Sequence, residues 1–274
     1  MDWTNPYDLS GKVAVLTGAG GVLCGTMSRA LGGLGARVAV LDLREDAAEK
    51  VVDDIMAAGG EAMAVTVDVM ERSSIEAAAL QVLDAYDRVD ILINGAGGAR
   101  PDASTSDERA FFDLPADALR WVFDLNCLGT ILCSQVFGRI MADQETGCIV
   151  NISSMSALRP LTRAIAYSAA KAAVSNFTQW LAVELAQNYS SGIRVNAIAP
   201  GFFLTTQNRY LLIDGATGAY TERSKAILAH TPMNRFGDPE DLIGTLLWLL
   251  SDGASFVHGT VIPVDGGFSA YSGV

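Results

Sequence analysis

Three side chains with acid–base chemistry lie close together in residues 151–171 (NISSMSALRPLTRAIAYSAAK). Tyr167 and Lys171 are four residues apart in an alanine-rich segment that predicts a helix, so both project from one face. A phenol has a pKa of about 10, and an adjacent ammonium favours the phenolate, which moves the tyrosine toward general acid–base use at neutral pH. Ser154 follows the apolar run Cys148–Ile152, so a strand ending there would hold its hydroxyl over a site. Tyr-x-x-x-Lys alone is a weak signal, and the rest of the chain must give it meaning.

Short apolar runs alternate with helical patterns along the chain. This order is typical of βαβ units and predicts one Rossmann-like, doubly wound α/β domain over residues 1–274, with a mostly parallel seven-stranded sheet and helices on both faces. The predicted strands are Lys12–Thr17, Arg37–Leu41, Glu61–Val67, Val89–Ile93, Cys148–Ile152, Ile193–Ile198 and Thr260–Val264. The predicted helices are Val22–Leu34, Glu45–Ala58, Arg72–Tyr86, Ala116–Met141, Tyr167–Leu185 and Asp238–Leu250. Residues 202–235 are long for a connection in a compact domain and predict a substrate lid.

The first predicted strand ends in a glycine-rich turn, TGAGGVLCG, at residues 17–25. Glycines at a strand-to-helix turn let the backbone approach a pyrophosphate, which the helix N-terminus then stabilises. Asp42 closes the second strand, where a carboxylate accepts the ribose hydroxyls of NAD and repels the 2′-phosphate of NADP. Arg44 leaves NADP possible, but NAD is favoured. The alternative, a flexible loop followed by a capping aspartate, is disfavoured by the order strand, glycine, helix, strand, aspartate.

Polar and small residues follow the next strands. Asp68 would meet the adenine edge of a cofactor or only cap the end of its strand. The small residues of Asn94-Gly95-Ala96-Gly97 suit a backbone that passes close to a cofactor. Asn126 lies inside an apolar helical pattern (WVFDLNCLGT), so it is either functional or a core amide satisfied by hydrogen bonds. Spacing leaves both interpretations open.

The composition excludes several classes of function. The formal net charge of −12 argues against nucleic acid or an anionic membrane as partner. Four cysteines, Cys24, Cys127, Cys133 and Cys148, lack metal or redox spacing and are interpreted as reduced core thiols. With two histidines, a histidine-based metal site is not expected. The sequence shows neither a signal segment nor an apolar run of about 20 residues, which predicts a cytoplasmic protein.

Together these residues resemble the classical short-chain dehydrogenase/reductase family over essentially the whole chain. The matching motifs are Thr17-Gly18, Asp42, Asp68-Val69, Asn94-x-Ala96-Gly97, Asn126, Ser154, Tyr167-x-x-x-Lys171, Pro200-Gly201 and Asp265-Gly266-Gly267. The resemblance implies a catalytic tetrad. Tyr167 would transfer the proton, Ser154 would polarise the carbonyl, and Lys171 would hold the nicotinamide ribose and lower the tyrosine pKa. Asn126 would position a water molecule that links Lys171 to solvent.

The resemblance also implies a cofactor site and an assembly. The residues at the matching cofactor positions are Gly18, Gly20, Gly21, Val22, Leu23, Asp42, Asp68, Val69, Asn94, Ala96, Gly97, Tyr167, Lys171, Pro200, Gly201 and Thr205. Thr205 matches the residue that contacts the nicotinamide carboxamide. Homotetramers are common in the family, and the long apolar helices of this chain are expected to provide subunit contacts.

The glycine turn departs from the family pattern. The usual spacing, Thr-Gly-x-x-x-Gly-x-Gly, predicts glycine at the positions of Val22 and Cys24, so the pyrophosphate turn is expected to bend differently. This variant, together with SSMSALRPLTR, PGFFLTTQNR, HTPMNRFGDPEDL and PVDGGFSAYSGV, is similar to a bacterial subgroup of D-mannonate oxidoreductases (fructuronate reductases). The similarity implies the reaction D-mannonate + NAD⁺ ⇌ D-fructuronate + NADH.

Four arginines give a separate argument for an acidic substrate. Arg100, Arg159, Arg163 and Arg209 follow predicted strands, at the edge where open α/β sheets bind ligands. Their guanidiniums could bind a substrate carboxylate bidentately, or they could pair with the surplus of Asp and Glu. Other carbonyl substrates remain open, such as a neutral sugar or polyol, a gluconate-type acid, a 3-oxoacyl thioester or a cyclic alcohol. A dinucleotide-binding protein without turnover is the alternative from another class.

Overall fold

Seven parallel strands form the centre of the molecule. The computed structural model describes residues 7–205 and 208–273. The strands are β1 (Val13–Thr17), β2 (Arg37–Asp42), β3 (Glu61–Thr66), β4 (Ile91–Asn94), β5 (Gly147–Ile152), β6 (Ile193–Pro200) and β7 (Val261–Val264). They lie in the order β3-β2-β1-β4-β5-β6-β7, and the neighbouring pairs are parallel. The predicted α/β class is confirmed, and this sheet is wholly rather than mostly parallel.

Helices cover both faces of this sheet. The α-helices of the described residues are α1 (Val22–Gly33), α2 (Glu45–Ala57), α3 (Arg72–Tyr86), α4 (Ala116–Phe123), α5 (Gly129–Asp143), α6 (Ile165–Asn188), α7 (Arg209–Leu212), α8 (Glu222–His230) and α9 (Ile243–Leu250). Residues of α1, α2 and α9 share one core layer, and residues of α3, α5 and α6 share the other. Strand β1 shows why the pattern was readable. Ala14 and Leu16 enter the first layer and Val13 and Val15 the second, so the strand is one continuous apolar run.

The strand order places the ends of β1 and β4 side by side. From β1 the chain builds outward to β3, and from β4 it builds outward in the other direction to β7. In the register of the sheet Thr17 is paired with Asn94, and Asn94 with Asn151. Open α/β sheets bind ligands at such a reversal of strand order, outside the carboxyl ends of the strands. The segments that follow these three residues therefore meet at one edge.

The predicted helix over Ala116–Met141 is interrupted at its centre. Asp124–Leu128 form a π-helical turn between α4 and α5, with Asn126 in its middle. The prediction of one continuous helix is wrong here because apolar residues continue across the turn and hide the extra residue. Single π turns inside α-helices are frequent at functional sites.

The same segment is the one candidate for a membrane span among the described residues. Ala116–Asp143 is long and apolar enough to cross a membrane, judged by length and composition only. In the fold, Cys133, Phe137 and Met141 of α5 are buried in the core layer formed with α3 and α6. These contacts are those of a core helix.

Residues 202–235, the predicted lid, contain two helices, α7 and α8, joined by an antiparallel bridge between Ile213 and Tyr220. Residues 206 and 207 of this segment lie outside the described part. The C-terminal tail packs on α8, since the ring of His230 lies 4.7 Å from Phe268 and 5.0 Å from Tyr271, centroid to centroid. The C-terminal tail therefore contacts this segment at α8. Its role as a lid stays a prediction.

Candidate active site

Ser154, Tyr167 and Lys171 come together at the carboxyl end of β5. Ser154 lies two residues beyond the strand, and the first two turns of α6 carry the other two. The Ser154 hydroxyl accepts the Ser156 N–H at 3.1 Å and is hydrogen-bonded to the Tyr167 phenol. The Lys171 Nζ lies 5.8 Å from the centroid of the Tyr167 ring and donates to the Ile152 carbonyl at 2.8 Å. A hydroxyl, a phenol and an ammonium thus form one cluster.

The π turn brings Asn126 to the same cluster. Its fully buried side chain donates from Nδ2 to the carbonyls of Gly98 at 2.7 Å and Val122 at 2.8 Å, and its Oδ1 accepts the Gly98 N–H at 3.2 Å. A Cβ atom on Gly97 would lie 2.6 Å from Oδ1 of Asn126 and 3.2 Å from Nζ of Lys171. Only glycine lets this backbone pass so close to both side chains. Asn126 is therefore a satisfied core amide that also borders the cluster.

Burial controls the acid–base properties of these groups. It raises the pKa of Tyr167, and the hydrogen bond with Ser154 offsets only part of this effect. It lowers the pKa of Lys171 from 10.5 to about 8, because an ammonium with 3% exposure has lost its hydration. The expected lowering of the tyrosine pKa by Lys171 is not seen in this structure. Desolvation is the larger effect on the phenol, and the ammonium of Lys171 donates to the Ile152 carbonyl.

The turn after β1 fits the pyrophosphate of a dinucleotide. Gly18 has a φ of +63°, and a Cβ on it would lie 2.8 Å from the Cα of Ala96. A Cβ on Gly20 would lie 2.6 Å from the Cβ of Ala47. Gly21 is the N-cap of α1, and among the described residues no side chain caps this helix and no acidic residue lies in its first turn. Backbone N–H groups and the helix dipole are therefore directed at a place where an anion can approach.

Substitution of the family's glycines does not move the start of the helix. α1 begins at Val22, as predicted. Val22 is partly exposed at the turn, and Leu23 packs against the core layer formed by α1, α2 and α9. Cys24 is buried and faces the backbone of Gly95. The departure therefore changes what packs beneath the turn.

Asp42 ends β2 beside the turn, and Asp68 follows the end of β3. Oδ2 of Asp42 accepts the Gly20 N–H at 2.9 Å, and Oδ1 accepts the Arg44 N–H at 3.0 Å. These bonds fix the carboxylate against the glycine turn, where it can meet ribose hydroxyls. Oδ1 of Asp68 accepts the backbone N–H two residues on at 2.9 Å, as a strand-end cap does. The side chain of Val69 is buried in the core, so a cofactor contact at this position is left to the backbone.

Asn94 is used inside the protein. Its Nδ2 donates to Oγ of Ser134 at 2.9 Å and to Oδ1 of Asn151 at 2.8 Å, and Asn151 donates to Oγ1 of Thr178 at 2.9 Å. This buried chain ties β4, β5 and α5 to the helix that carries Tyr167. Only the amide nitrogen of Asn94 is used in this way, because its buried Oδ1 has no hydrogen-bond partner among the described residues. The predicted cofactor contact of Asn94 stays a prediction. The sequence analysis did not predict the partners Ser134, Asn151 and Thr178. Each is a polar residue inside an apolar run, and this was the signal that could have found them.

The end of β6 completes the edge. Pro200 is buried, and a Cβ on Gly201 would lie 2.6 Å from the Cα of Asp265, so the turn after β7 closes against this point. The backbone N–H of Thr205 donates to Oδ1 of Asn208 at 2.9 Å. The structure places these residues at the carboxyl edge of the sheet. Their contacts with a cofactor stay predictions.

Two of the four arginines predicted for a substrate carboxylate already hold a carboxylate of this chain. Arg100 binds Asp102 with two hydrogen bonds, at 2.9 and 2.6 Å, and its guanidinium lies over the ring of Trp121. Arg163 pairs with Asp107 at 2.7 Å. Both pairs are partly or well exposed, and exposed pairs of this kind contribute little to stability. They match the alternative of pairing with the acidic surplus.

The guanidiniums of the other two arginines are not paired with a carboxylate among the described residues. Arg159 is exposed and donates from Nε to the carbonyl of Ser269 in the C-terminal tail at 3.2 Å. Arg209 is exposed at the start of α7, and the described residues give it no ion pair. Arg159 follows β5 and Arg209 follows β6. Their contact with an anionic substrate stays a prediction.

A glycine turn at the reversal of a parallel sheet, beside a Ser–Tyr–Lys–Asn cluster, defines a dinucleotide-dependent oxidoreductase. Residues 23–269 match the family model described as enoyl-(acyl carrier protein) reductase. The uncharacterized oxidoreductase UxuB of Bacillus subtilis (strain 168) is 51% identical over 276 residues, 97% of this chain and 98% of that protein. The chain belongs to the short-chain dehydrogenase/reductase family and is an oxidoreductase.

Two further relatives show the range of the family. A crystal structure from Haemophilus influenzae, provisionally described as a D-mannonate oxidoreductase with bound NAD, superposes with a TM-score of 0.92 at 47% identity, covering 97% of this chain and 98% of that one. The 7alpha-hydroxysteroid dehydrogenase of Escherichia coli (strain K12) is 34% identical over 259 residues, 94% of each chain. The family is therefore certain from sequence and fold, while its members differ in substrate.

Proposed function

We propose that this protein is an NAD-dependent oxidoreductase that transfers a hydride between the nicotinamide and a secondary alcohol or ketone of a sugar acid, with D-mannonate and D-fructuronate as the substrate pair. The observation that carries the reaction class is the hydrogen bond between Ser154 and Tyr167 beside the buried Lys171. The carboxylate of Asp42 beside the glycine turn supports NAD over NADP. The NAD-bound Haemophilus influenzae structure and the exposed Arg159 and Arg209 support the cofactor and the acidic substrate.

The side chains of the cluster divide the proton chemistry. NAD, when bound, accepts the hydride of the carbinol carbon, and NADH returns it to the ketone. Oγ of Ser154 accepts the Ser156 N–H, and its proton, which is shared with the Tyr167 phenol in this structure, would be donated to the substrate oxygen. Tyr167 accepts the alcohol proton during oxidation and gives it back during reduction. Since burial raises the pKa of Tyr167, the phenol is protonated at neutral pH, which suits reduction, and oxidation is expected to accelerate at alkaline pH.

Asn126 and Lys171 support the proton transfer by Tyr167. In the proposed mechanism Lys171 holds the nicotinamide ribose and its charge favours the phenolate once the proton has left. Asn126 keeps the π turn closed on Gly98 through hydrogen bonds of 2.7 and 3.2 Å. The water molecule that Asn126 would position completes the exchange of protons with solvent.

The proposal is tested by initial rates of NADH formation with D-mannonate, D-gluconate, D-mannitol and a simple secondary alcohol, each also measured with NADP⁺. We expect turnover on D-mannonate with NAD⁺ and little with NADP⁺. If D-mannonate is not oxidised, D-fructuronate with NADH is measured next. Failure in both directions would refute the substrate proposal.

A neutral sugar or polyol is the second candidate. It is favoured by Arg100 and Arg163, which are paired within the chain and therefore leave fewer cations for a carboxylate. Turnover on D-mannitol with none on either acid would select it. The same cluster of Ser154, Tyr167 and Lys171 would then act on an uncharged alcohol.

The assembly is proposed to be a homotetramer, in the cytoplasm. On α6 the side chains of Trp180 and Val183 are 58% and 55% exposed, and the connection after β4 exposes Phe112 at 91%. Large apolar side chains exposed on a single chain suit contact with other copies. Size-exclusion chromatography with light scattering tests the assembly, and a monodisperse monomer would contradict it.

A further inference from the structure

Cys24 and Gly95 occupy one another's space. Cys24 lies in the first turn of α1, is 5% exposed, and stands where the resemblance predicts glycine. A Cβ atom on Gly95 would overlap the Sγ of Cys24, whereas it would lie 3.5 Å from the Cβ of Cys24, an ordinary contact. The sulfur therefore fills the volume that a side chain at position 95 would need. Burial raises the pKa of the Cys24 thiol to about 12, so this group packs as a neutral thiol.

This contact joins the two backbone segments that border the cofactor site. The N–H groups of Gly95 and Ala96 both donate to Oγ1 of Thr17, at 3.1 and 3.2 Å, and Gly18 approaches Ala96 too closely to carry a Cβ. Cys24 adds a side-chain contact from the helix that follows the same turn. The position of the helix start thus depends on the backbone after β4.

The backbone after β4 continues directly to the catalytic cluster. Two residues beyond Gly95, Gly97 passes between Asn126 and Lys171 with no room for a side chain. A displacement at Gly95 would therefore move both the anion-binding start of α1 and the segment that lies against Lys171. Such a displacement would weaken the binding of both the pyrophosphate and the nicotinamide half of the cofactor.

We propose that Cys24 and Gly95 are a matched pair of positioning residues that holds the pyrophosphate turn against the end of β4. The pair replaces a glycine in the helix by a side chain and places the compensating glycine in the neighbouring strand end. This inference rests on the proposed use of NAD but is independent of the substrate. It predicts that changes at the two positions are strongly non-additive.

The experiment is a double-mutant cycle on NADH affinity, followed by NADH fluorescence, with the thermal midpoint of each apo protein measured alongside. Gly95→Ala is expected to raise the Kd for NADH by at least about tenfold, because overpacking forces the thiol or the backbone to move. Adding Cys24→Ala removes the sulfur and leaves two methyl groups at contact distance, so the double variant is expected to recover a measurable part, but not all, of the affinity lost in Gly95→Ala. The remaining strain comes from the Thr17 carbonyl, 2.9 Å from the new Cβ.

Gly138→Ala is the matched control, because a Cβ there meets only Cδ1 of Ile149 at 3.8 Å. It should leave NADH binding unchanged. Unchanged affinity in Gly95→Ala, or a double variant no better than Gly95→Ala, would overturn the pairing. If Gly95→Ala alone does not fold, recovery of a folded, NADH-binding double variant supports the pairing and its absence overturns it. Failure of the wild-type protein to bind NADH would instead refute the proposed cofactor.

Discussion

Lys171 carries an ammonium into a place with almost no water. It is 3% exposed, and its pKa falls from 10.5 to about 8 because burial penalises the charged form. This is the reverse of a lysine that gains a carboxylate partner. Below pH 8 the folded chain bears the full cost of a charged, desolvated amine. Between pH 8 and 10.5 the folded chain releases this proton while the unfolded chain keeps it, so the free energy of unfolding rises with pH through this window.

The size of the effect follows from the two pKa values. Their difference corresponds to about 3 kcal/mol at 1.36 kcal/mol per pKa unit. By pH 9.5 about 2 kcal/mol of this should be recovered, since the folded amine is then mostly neutral and the unfolded one still mostly charged. For a chain of this size that is about 4–8 °C in thermal midpoint. This range of pH lies below the ionisation of Tyr167, whose pKa is raised.

The assay compares wild type with Lys171→Met by calorimetry at pH 7 and pH 9.5, without cofactor. The variant also loses the hydrogen bond to the Ile152 carbonyl, but that loss is independent of pH. The buried thiols of Cys24 and Cys133 have pKa values of about 12 and stay neutral at pH 9.5. Removing Lys171 only raises the pKa of Cys24 further, so both proteins carry the same neutral thiols at this pH. We therefore expect wild type to gain stability relative to the variant by about 2 kcal/mol. Lys50→Met, at an exposed position, is the control, and equal pH dependence in wild type and Lys171→Met would refute the reasoning.

Two further predictions concern specificity. Asp42→Ala should lower the ratio of kcat/KM for NAD⁺ over NADP⁺ by at least about tenfold, because the carboxylate that repels a 2′-phosphate is removed; an unchanged ratio would show that Asp42 does not select the cofactor. Arg159→Ala or Arg209→Ala should raise KM for a sugar acid about 10- to 100-fold, the worth of a charge-assisted hydrogen bond, and leave KM for a polyol unchanged. Arg29→Ala, which removes a distant surface ion pair with Asp54, is the control. If KM rises equally for the sugar acid and the polyol, Arg159 and Arg209 do not bind the substrate carboxylate.

The architecture could be predicted because a buried parallel strand has a simple signature. Runs such as VAVLT at β1 are apolar at every position, since both faces of the sheet are covered. Helix starts were also readable. The helix predicted over Asp238–Leu250 begins with a capping box formed by Asp238 and Asp241, although that first turn is 3₁₀ and α9 begins only at Ile243.

The site could be predicted only as a set of positions. Spacing placed Tyr167 and Lys171 on one helix face, and the structure brings Ser154 and Asn126 to them. Spacing could not show that desolvation raises the pKa of Tyr167, because desolvation depends on neighbours that are distant in sequence. The π turn at Asn126 was hidden for a related reason, since one extra residue in a helix leaves the apolar pattern intact.

Contacts between distant segments were beyond the sequence altogether. Nothing in the spacing shows that Arg163 would pair with Asp107, or that Arg159 would reach the C-terminal tail at Ser269. These pairings decide which guanidiniums face solvent. They depend on how the loops fold over the sheet, which the local sequence pattern does not predict.

The central claim is that Tyr167 transfers the proton in a hydride exchange on a sugar acid, and Tyr167→Phe tests it most directly. The measurement is the steady-state rate with D-mannonate and NAD⁺, together with the Kd for NADH from fluorescence. We expect the rate to fall by about 10²- to 10⁴-fold, as for loss of a general acid–base group, while the Kd for NADH changes far less, because Phe removes only the hydroxyl at this predicted cofactor position. A variant that turns over at the wild-type rate would contradict the account.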